Sequence, residues 1–239
     1  NYDRFMAAFN EVEDHIKRVL GGGTDKYEHA AFMTVLDDFR DRYPRRLPET
    51  HYKQLAELAK VRNALTHRQY VDNRRLADPS EAGIVAMERA RDRLLYPASA
   101  LDVLGHGAPL TVGPDVTVGE ALHLMHENDF SQLPVYDESG YVDLLTTNAA
   151  ARWVAAQWEK NDGLAEDAPV SELLNFTEAT ERVKHVRRST SAIEAVRDFV
   201  DGAEKGEVLT ALIVTETGKR RESPLAMIVA ADLPALSGA

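Results

Sequence analysis

The segment Arg62-Asn63-Ala64-Leu65-Thr66-His67 places a permanent cation, a polar amide and a titratable imidazole close together. On a helix it spans about one and a half turns. An imidazole can carry a proton to or from an oxygen, and a guanidinium can hold the charge that builds on a phosphate. The set is therefore able to work on a phosphodiester. Spacing alone marks nothing, because Arg46 and His51 share it. Pro48 interrupts that second pair, and proline breaks helical geometry. The 62–67 set lies instead on an uninterrupted helix-forming stretch, with Asn63 and His67 four apart on one face and Arg62 flanking it. His15, His29 and His51 show no metal-ligand spacing and read as surface or packing residues.

The elements that must position this set are helical. Phe5, Phe9, Val12, Ile16 and Val19/Leu20 recur at steps of three and four, which predicts an amphipathic helix over about 3–20. Gly21-Gly22-Gly23 stops it, and Thr24 or Asp25 is expected to cap a second helix carrying Phe32, Val35, Leu36 and Phe39. Pro44 and Pro48 end that region. Thr50 opens a third helix with Tyr52, Leu55, Leu58, Val61 and Leu65 on its buried face. Asp78-Pro79 reads as a cap with proline at the first helical position, ahead of Ile84, Met87, Leu94 and Leu95. No period-two alternation precedes residue 100, so residues 1–97 are expected to form an α-bundle.

After Tyr96-Pro97 the pattern changes to α/β. Leu110-Thr111-Val112 reads as a short strand, and Thr117-Val118-Gly119-Glu120 as a capping box opening a helix with Ala121, Leu122 and Met125. Leu133 to Tyr136 is a strand, Asp137-Glu138-Ser139-Gly140 a hairpin turn, and Tyr141 to Leu145 the return strand. A helix with Trp153 and Trp158 follows. The same order then returns: Val183 to Val186, the box Ser191-Ala192-Ile193-Glu194, a helix with Val196 and Phe199, Leu209 to Val214, a turn, Leu225 to Val229 and a terminal helical turn. Two units in the same order indicate a duplication.

Residues 1–97 resemble the HEPN family, small α-helical domains that include metal-independent ribonucleases with an Arg-x4–6-His motif. The resemblance implies a site completed by two protomers. His67 would act as general base or acid, Arg62 would stabilise phosphate charge, and Asn63 would orient His67 or the substrate. Residues 98–239 resemble a tandem pair of CBS domains, with repeats at about 100–160 and 168–236. Pro114 to Leu122 and Phe130-Ser131-Gln132-Leu133-Pro134-Val135 carry that likeness. It implies two β-α-β-β-α repeats that bind an adenosine ligand between them: AMP, ADP, ATP, S-adenosylmethionine or cyclic di-AMP.

The CBS signature Gly-hydrophobic-hydrophobic-Thr/Ser-x-x-Asp is split between the repeats. The first repeat reads Asp143-Leu144-Leu145-Thr146-Thr147-Asn148-Ala149, with threonine and no aspartate. The second reads Ala226-Met227-Ile228-Val229-Ala230-Ala231-Asp232, with aspartate and no hydroxyl. By this resemblance Thr146, Asn148 and Asp232 are the ligand-binding candidates. Arg187 and Arg188, beside His185, are either phosphate contacts or solvated cations at a strand end.

Charge supports two different halves. The net charge is -11, yet residues 1–97 hold 17 Lys+Arg against 16 Asp+Glu, and residues 98–239 hold 11 against 23. The acidity belongs to the second half. Clusters at Arg40, Arg42, Arg45, Arg46 and at Arg68, Arg74, Arg75 are either phosphate contacts or part of a mixed solvated surface. No apolar run reaches the ~20 residues of a membrane helix. The first residues show no basic-then-apolar signal. With no cysteine, disulfides and thiolate sites are excluded, and a cytoplasmic location is expected.

The expected fold is therefore multidomain, an α-helical bundle followed by an α/β CBS pair. The expected activity is a metal-independent endoribonuclease, acting as a homodimer on RNA and regulated by an adenine nucleotide. The alternative is a non-enzymatic nucleotide sensor whose helical domain dimerises or docks a partner.

Overall fold

A computed structural model describes residues 1–21, 27–67, 70–71, 74–75, 78–105, 107–159 and 167–238, with backbone alone at 67, 70, 71, 74 and 75. The chain divides into two units, Asn1–Ala98 and Ser99–Gly238.

In the first unit, α1 (Tyr2–Gly21) buries Phe5, Ala8, Phe9, Val12, Ile16 and Leu20 along one stripe. Steps of three and four on a 3.6-residue helix put such residues on one face. Against it pack α2 (Phe32–Arg42) and α4 (Glu81–Leu95), and α3 (Glu49–His67) closes the bundle against α2 and α4. The rings of Phe9 and Phe32 meet at 4.6 Å. Arg4 on α1 forks onto Glu88 of α4 at 3.1 and 2.9 Å and reaches Glu81 at 3.0 Å. This pairing is exposed and adds little stability.

Several boundaries differ from the sequence expectation. The N-cap of α2 is Ala31, with no side-chain hydrogen bond; the expected caps Thr24 and Asp25, like Gly22 and Gly23, lie outside the described residues. The third helix begins at Glu49 rather than Thr50, because Pro48 supplies the first-turn carbonyl to Tyr52 N at 2.9 Å. Ser80, not Asp78, caps α4, its hydroxyl accepting from Gly83 N at 3.1 Å. Val61, expected to be buried, is exposed, since the inward stripe runs through Leu55, Leu58, Ala59 and Leu65. The helical region also contains a two-residue ladder, β1 (Tyr70–Val71) antiparallel to β2 (Arg74–Arg75). Strands that short leave no alternation to read.

The second unit has two halves built in the same order. In the first half, α6 (Val118–Glu127) begins with the Thr117/Glu120 capping box, and β3 (Gln132–Asp137) pairs antiparallel with β4 (Gly140–Thr146), Gln132 opposite Thr146. Then comes α7 (Thr147–Glu159). Trp153 is 1% exposed in its core and Trp158 is 66% exposed. In the second half, β5 (Glu181–Arg187) lies parallel to β6 (Val208–Thr215), which pairs antiparallel with β7 (Ala226–Ile228). Here α9 (Ala192–Glu204) starts with the Ser191/Glu194 box. The expected strand at 110–112 reduces to one parallel bridge, Val112 to Val135. Pro109 and Pro114, which lack an amide hydrogen, bound it.

Each half borrows its first helical piece from beside the other. The helix α5 (Ala100–Leu104) packs on α9 and on α10 (Leu233–Gly238), and Ala100 N donates to Thr190 O at 2.9 Å. Conversely, α8 (Val170–Leu173) joins the first-half core through Val170 and Leu173, and Val118 N donates to Ala168 O at 2.8 Å. Ser99 bridges Ser191, and Pro169 bridges Thr117, so each capping residue of a long helix is held by the incoming segment. Along β6, Leu212 and Val214 enter the helix-packed core. Period-two alternation leaves Ala211, Ile213 and Thr215, also buried, on the opposite face.

Candidate functional site

The end of the β3–β4 ladder holds the densest polar arrangement among the ligand candidates. β4 delivers Thr146, 4% exposed, to the start of α7. There its hydroxyl accepts from Ala149 N at 3.1 Å and acts as the helix cap. Its proton is directed to the Glu181 carboxylate, whose oxygens lie 3.2 and 3.3 Å away. Asn148 Nδ2 donates to the same carboxylate at 3.2 Å. Glu181 opens β5 and so reaches this helix start from the other half. Glu178 N donates to its second oxygen at 3.4 Å, and Arg152 of α7 pairs with Glu178.

Beside this cluster lies a cavity of about 350 Å³, walled by the 107–110 segment, by Phe130, Gln132 and Leu133, and by Met227 of β7. Its lining is mostly apolar, the character of a small-molecule site. Gln132 joins cavity to cluster, since it stands opposite Thr146 in the ladder. Its side-chain oxygen is buried and has no hydrogen-bond partner among the described residues. Buried polar atoms are generally hydrogen-bonded, to protein or to water, so this oxygen is open to a donor.

The expected ligand-binding set therefore separates. Thr146 and Asn148 are brought together. By strand register Asp232, which follows β7, leaves its sheet at the end where Glu181 enters. Its carboxylate accepts from Val229 N at 2.8 Å. Arg187 and Arg188 leave the opposite end of β5, roughly 20 Å from Glu181 at about 3.3 Å per residue. Both are exposed, and Arg188 pairs with Glu216 at 3.6 Å. The two arginines cannot share a small ligand with Thr146. Glu181 and Gln132, which join this candidate site, were not singled out in the sequence. Gln132 had a signal, standing within the Phe130–Val135 segment, while Glu181 had none.

A second cluster lies on the strands of the same unit. Tyr136 and Tyr141 meet edge-on at 5.6 Å, Tyr141 meets His185 at 4.8 Å, and the Arg220 guanidinium stands 5.1 Å over the Tyr141 ring. Both phenol oxygens and His185 Nε2 are buried without a partner among the described residues. Burial pushes the Tyr136 phenol up to about 12 and the Tyr141 phenol higher still. Burial, and then the charge of Arg220, holds the His185 imidazole below its ordinary value.

On the helical unit, Arg62 lies over the ring of Phe9, 5.3 Å from its centroid. Its Nη1 donates to Asn63 Oδ1 at 3.2 Å, while its Nε is buried without a partner among the described residues. Asn63 is exposed. The backbone of His67 ends α3, and its side chain lies outside the described residues, as do those of Arg68, Arg74 and Arg75. Among the described residues no group of side chains has a metal-binding arrangement, and no helix is long and apolar enough to cross a membrane.

Residues 105–156 match the family model for the CBS domain and are a CBS domain. Among functionally curated proteins no relative was found. Three solved structures are reported as similar to this chain. One is the CBS-domain containing protein ATU1752 from Agrobacterium tumefaciens, 21% identical, covering 57% of this chain and 89% of that one with a TM-score of 0.42. Another is a CBS domain-containing protein of unknown function from Kribbella flavida DSM 17836, at 20%, 56%, 95% and 0.41. The third is CBSX2, solved in complex with AMP, at 18%, 56%, 94% and 0.40.

Proposed function

We propose that residues 98–239 form a tandem pair of CBS repeats that senses an adenine nucleotide or a related adenosine compound, with the helical unit as the output. The CBS match covers the first repeat, and the same order of elements, with a second capping box, supports the other. The observation that carries the reading is the cavity beside Gln132. It sets an apolar slot and an acceptor with no partner among the described residues next to a hydroxyl-capped helix start, a combination suited to a base and its sugar. Calorimetric titration of the full chain with adenosine, AMP, ADP, ATP and cyclic di-AMP tests it. Binding that Ala108→Trp abolishes by filling the cavity supports the reading. No binding by any of the five removes it.

A second reading concerns the output. The pairing of Arg62 with the exposed Asn63, one turn before His67, favours an endoribonuclease site on α3 shared between two protomers. In this reading the ligand acts through its different affinity for two arrangements of the dimer. Incubating RNA with wild type and His67→Ala, with and without ligand, decides it. Cleavage that is lost in the variant supports catalysis. Equal cleavage, or none in any condition, leaves the helical unit as a dimerising or docking domain.

A further inference from the structure

The start of α7 already holds an anion that belongs to the protein. The Glu181 carboxylate takes the Thr146 hydroxyl at 3.2 and 3.3 Å and the Asn148 amide at 3.2 Å. It arrives from β5, 35 residues further along the chain. A helix N-terminus carries partial positive charge and is a natural seat for a phosphate. Here that seat is filled. A phosphate brought to it would meet a fixed negative charge, and like charges in a partly buried site repel strongly. A carboxylate is, by contrast, a good acceptor for two hydroxyl protons.

The neighbouring cavity asks for the complementary half of a ligand. Its walls at Leu110, Phe130, Leu133 and Met227 are apolar and suit a flat ring. The buried Gln132 oxygen has no donor among the described residues, and an exocyclic amino group would supply one. A volume of about 350 Å³ falls within the range of small-ligand sites. Gln132 and Thr146 are cross-strand partners, so the ring-facing acceptor at the cavity wall stands across the ladder from the hydroxyl that holds the Glu181 carboxylate.

We infer that this cavity selects an amino-purine nucleoside without a phosphate over the corresponding nucleotide, with Glu181 as the residue that sets the preference. The inference rests on the sensing function proposed above and narrows its ligand. Glu181 receives the sugar hydroxyls and turns away a 5′-phosphate, and Gln132 reads the ring amine.

Calorimetry of the full chain with adenosine and with AMP tests this, on wild type, Glu181→Gln and Ala108→Trp, each checked for native circular dichroism. Wild type is expected to bind adenosine at least about tenfold more tightly than AMP, a factor worth about 1.4 kcal/mol. Glu181→Gln should bring the two affinities together, and Ala108→Trp should abolish binding of both. Tighter binding of AMP by wild type overturns the inference, as does a preference unchanged in Glu181→Gln. If AMP binds more tightly and Ala108→Trp removes it, the sensing function stands and only the preference falls. If neither ligand binds, both fall. Should Glu181→Gln not fold, the wild-type ratio decides alone.

Discussion

The Thr146 hydroxyl donates to the Glu181 carboxylate while accepting from Ala149 N, so one side chain caps a helix and ties two halves of a unit together. The cap is local, and the tie to Glu181 spans 35 residues. The contact fixes where α7 begins and where β5 enters, and Gln132, which stands opposite Thr146 in the ladder, carries it to the cavity wall.

Thr146→Val keeps the shape and β-propensity of the side chain but removes both roles. Loss of an N-cap costs about 1 kcal/mol. Urea unfolding should show a shift of that size with an unchanged slope. Adenosine affinity should also fall, because Glu181 loses one of the donors that orient it.

Gly140 has a φ of +119°, and a Cβ there would stand 2.4 Å from Arg221 Cα and 2.6 Å from Arg220 O. Both obstacles are backbone, so nothing flexible can move aside. Tyr141 N donates to Arg220 O at 2.8 Å across the same approach. Gly140→Ala should cost more than about 2 kcal/mol, read as a lowered thermal midpoint. Gly105→Ala is the control: Gly105 also has positive φ, but a Cβ there meets nothing within 4 Å. Its cost should be clearly smaller.

Acid should weaken the fold through its histidines. His185 is held below its usual value by burial and then by Arg220. His15 is lowered by burial, then by Arg46 and Arg18, and His51 by burial and then by Arg93. Below an unfolded value near 6.5 the unfolded chain takes up these protons first, so stability falls as pH drops toward the lower folded values. Thermal midpoints should be flat above about pH 7 and decline below it. His185→Phe, which keeps a ring edge on Tyr141, should show a shallower decline than wild type. An equal slope would refute a role for His185.

Arg62 contributes to packing whether or not RNA is cleaved. Its guanidinium lies on Phe9 and its buried stem covers the core edge. Arg62→Ala should lower stability by about 1 kcal/mol, whereas His67→Ala gives a separate readout in the cleavage assay. Loss of cleavage in Arg62→Ala alone would therefore not identify a catalytic arginine.

Much of the architecture was legible where a signal is local. The boxes Thr117/Glu120 and Ser191/Glu194 each close within four residues, and both helices start there. The helix stripes of α1 and α2 follow from spacing alone. Signals that depend on one residue's neighbours in space were not readable. Asp78-Pro79 offered as good a cap as Ser80, and only the Ser80–Gly83 hydrogen bond separates them. The site followed the same division. Thr146 was singled out through the signature that resembles the CBS pattern, and it stands at the start of α7. Its partner Glu181 is an ordinary strand-end carboxylate until folding sets it against Asn148. Arg187 and Arg188 were attractive as cations, yet strand rise carries them to the far end of β5.

The most direct measurement is a crystal structure of the full chain grown with adenosine. The ring should lie between Leu110, Phe130 and Met227 with its amino group toward Gln132, and the sugar hydroxyls should face Glu181. Density for the nucleoside at Arg187 and Arg188 instead, or an empty cavity at saturating ligand, would contradict the account.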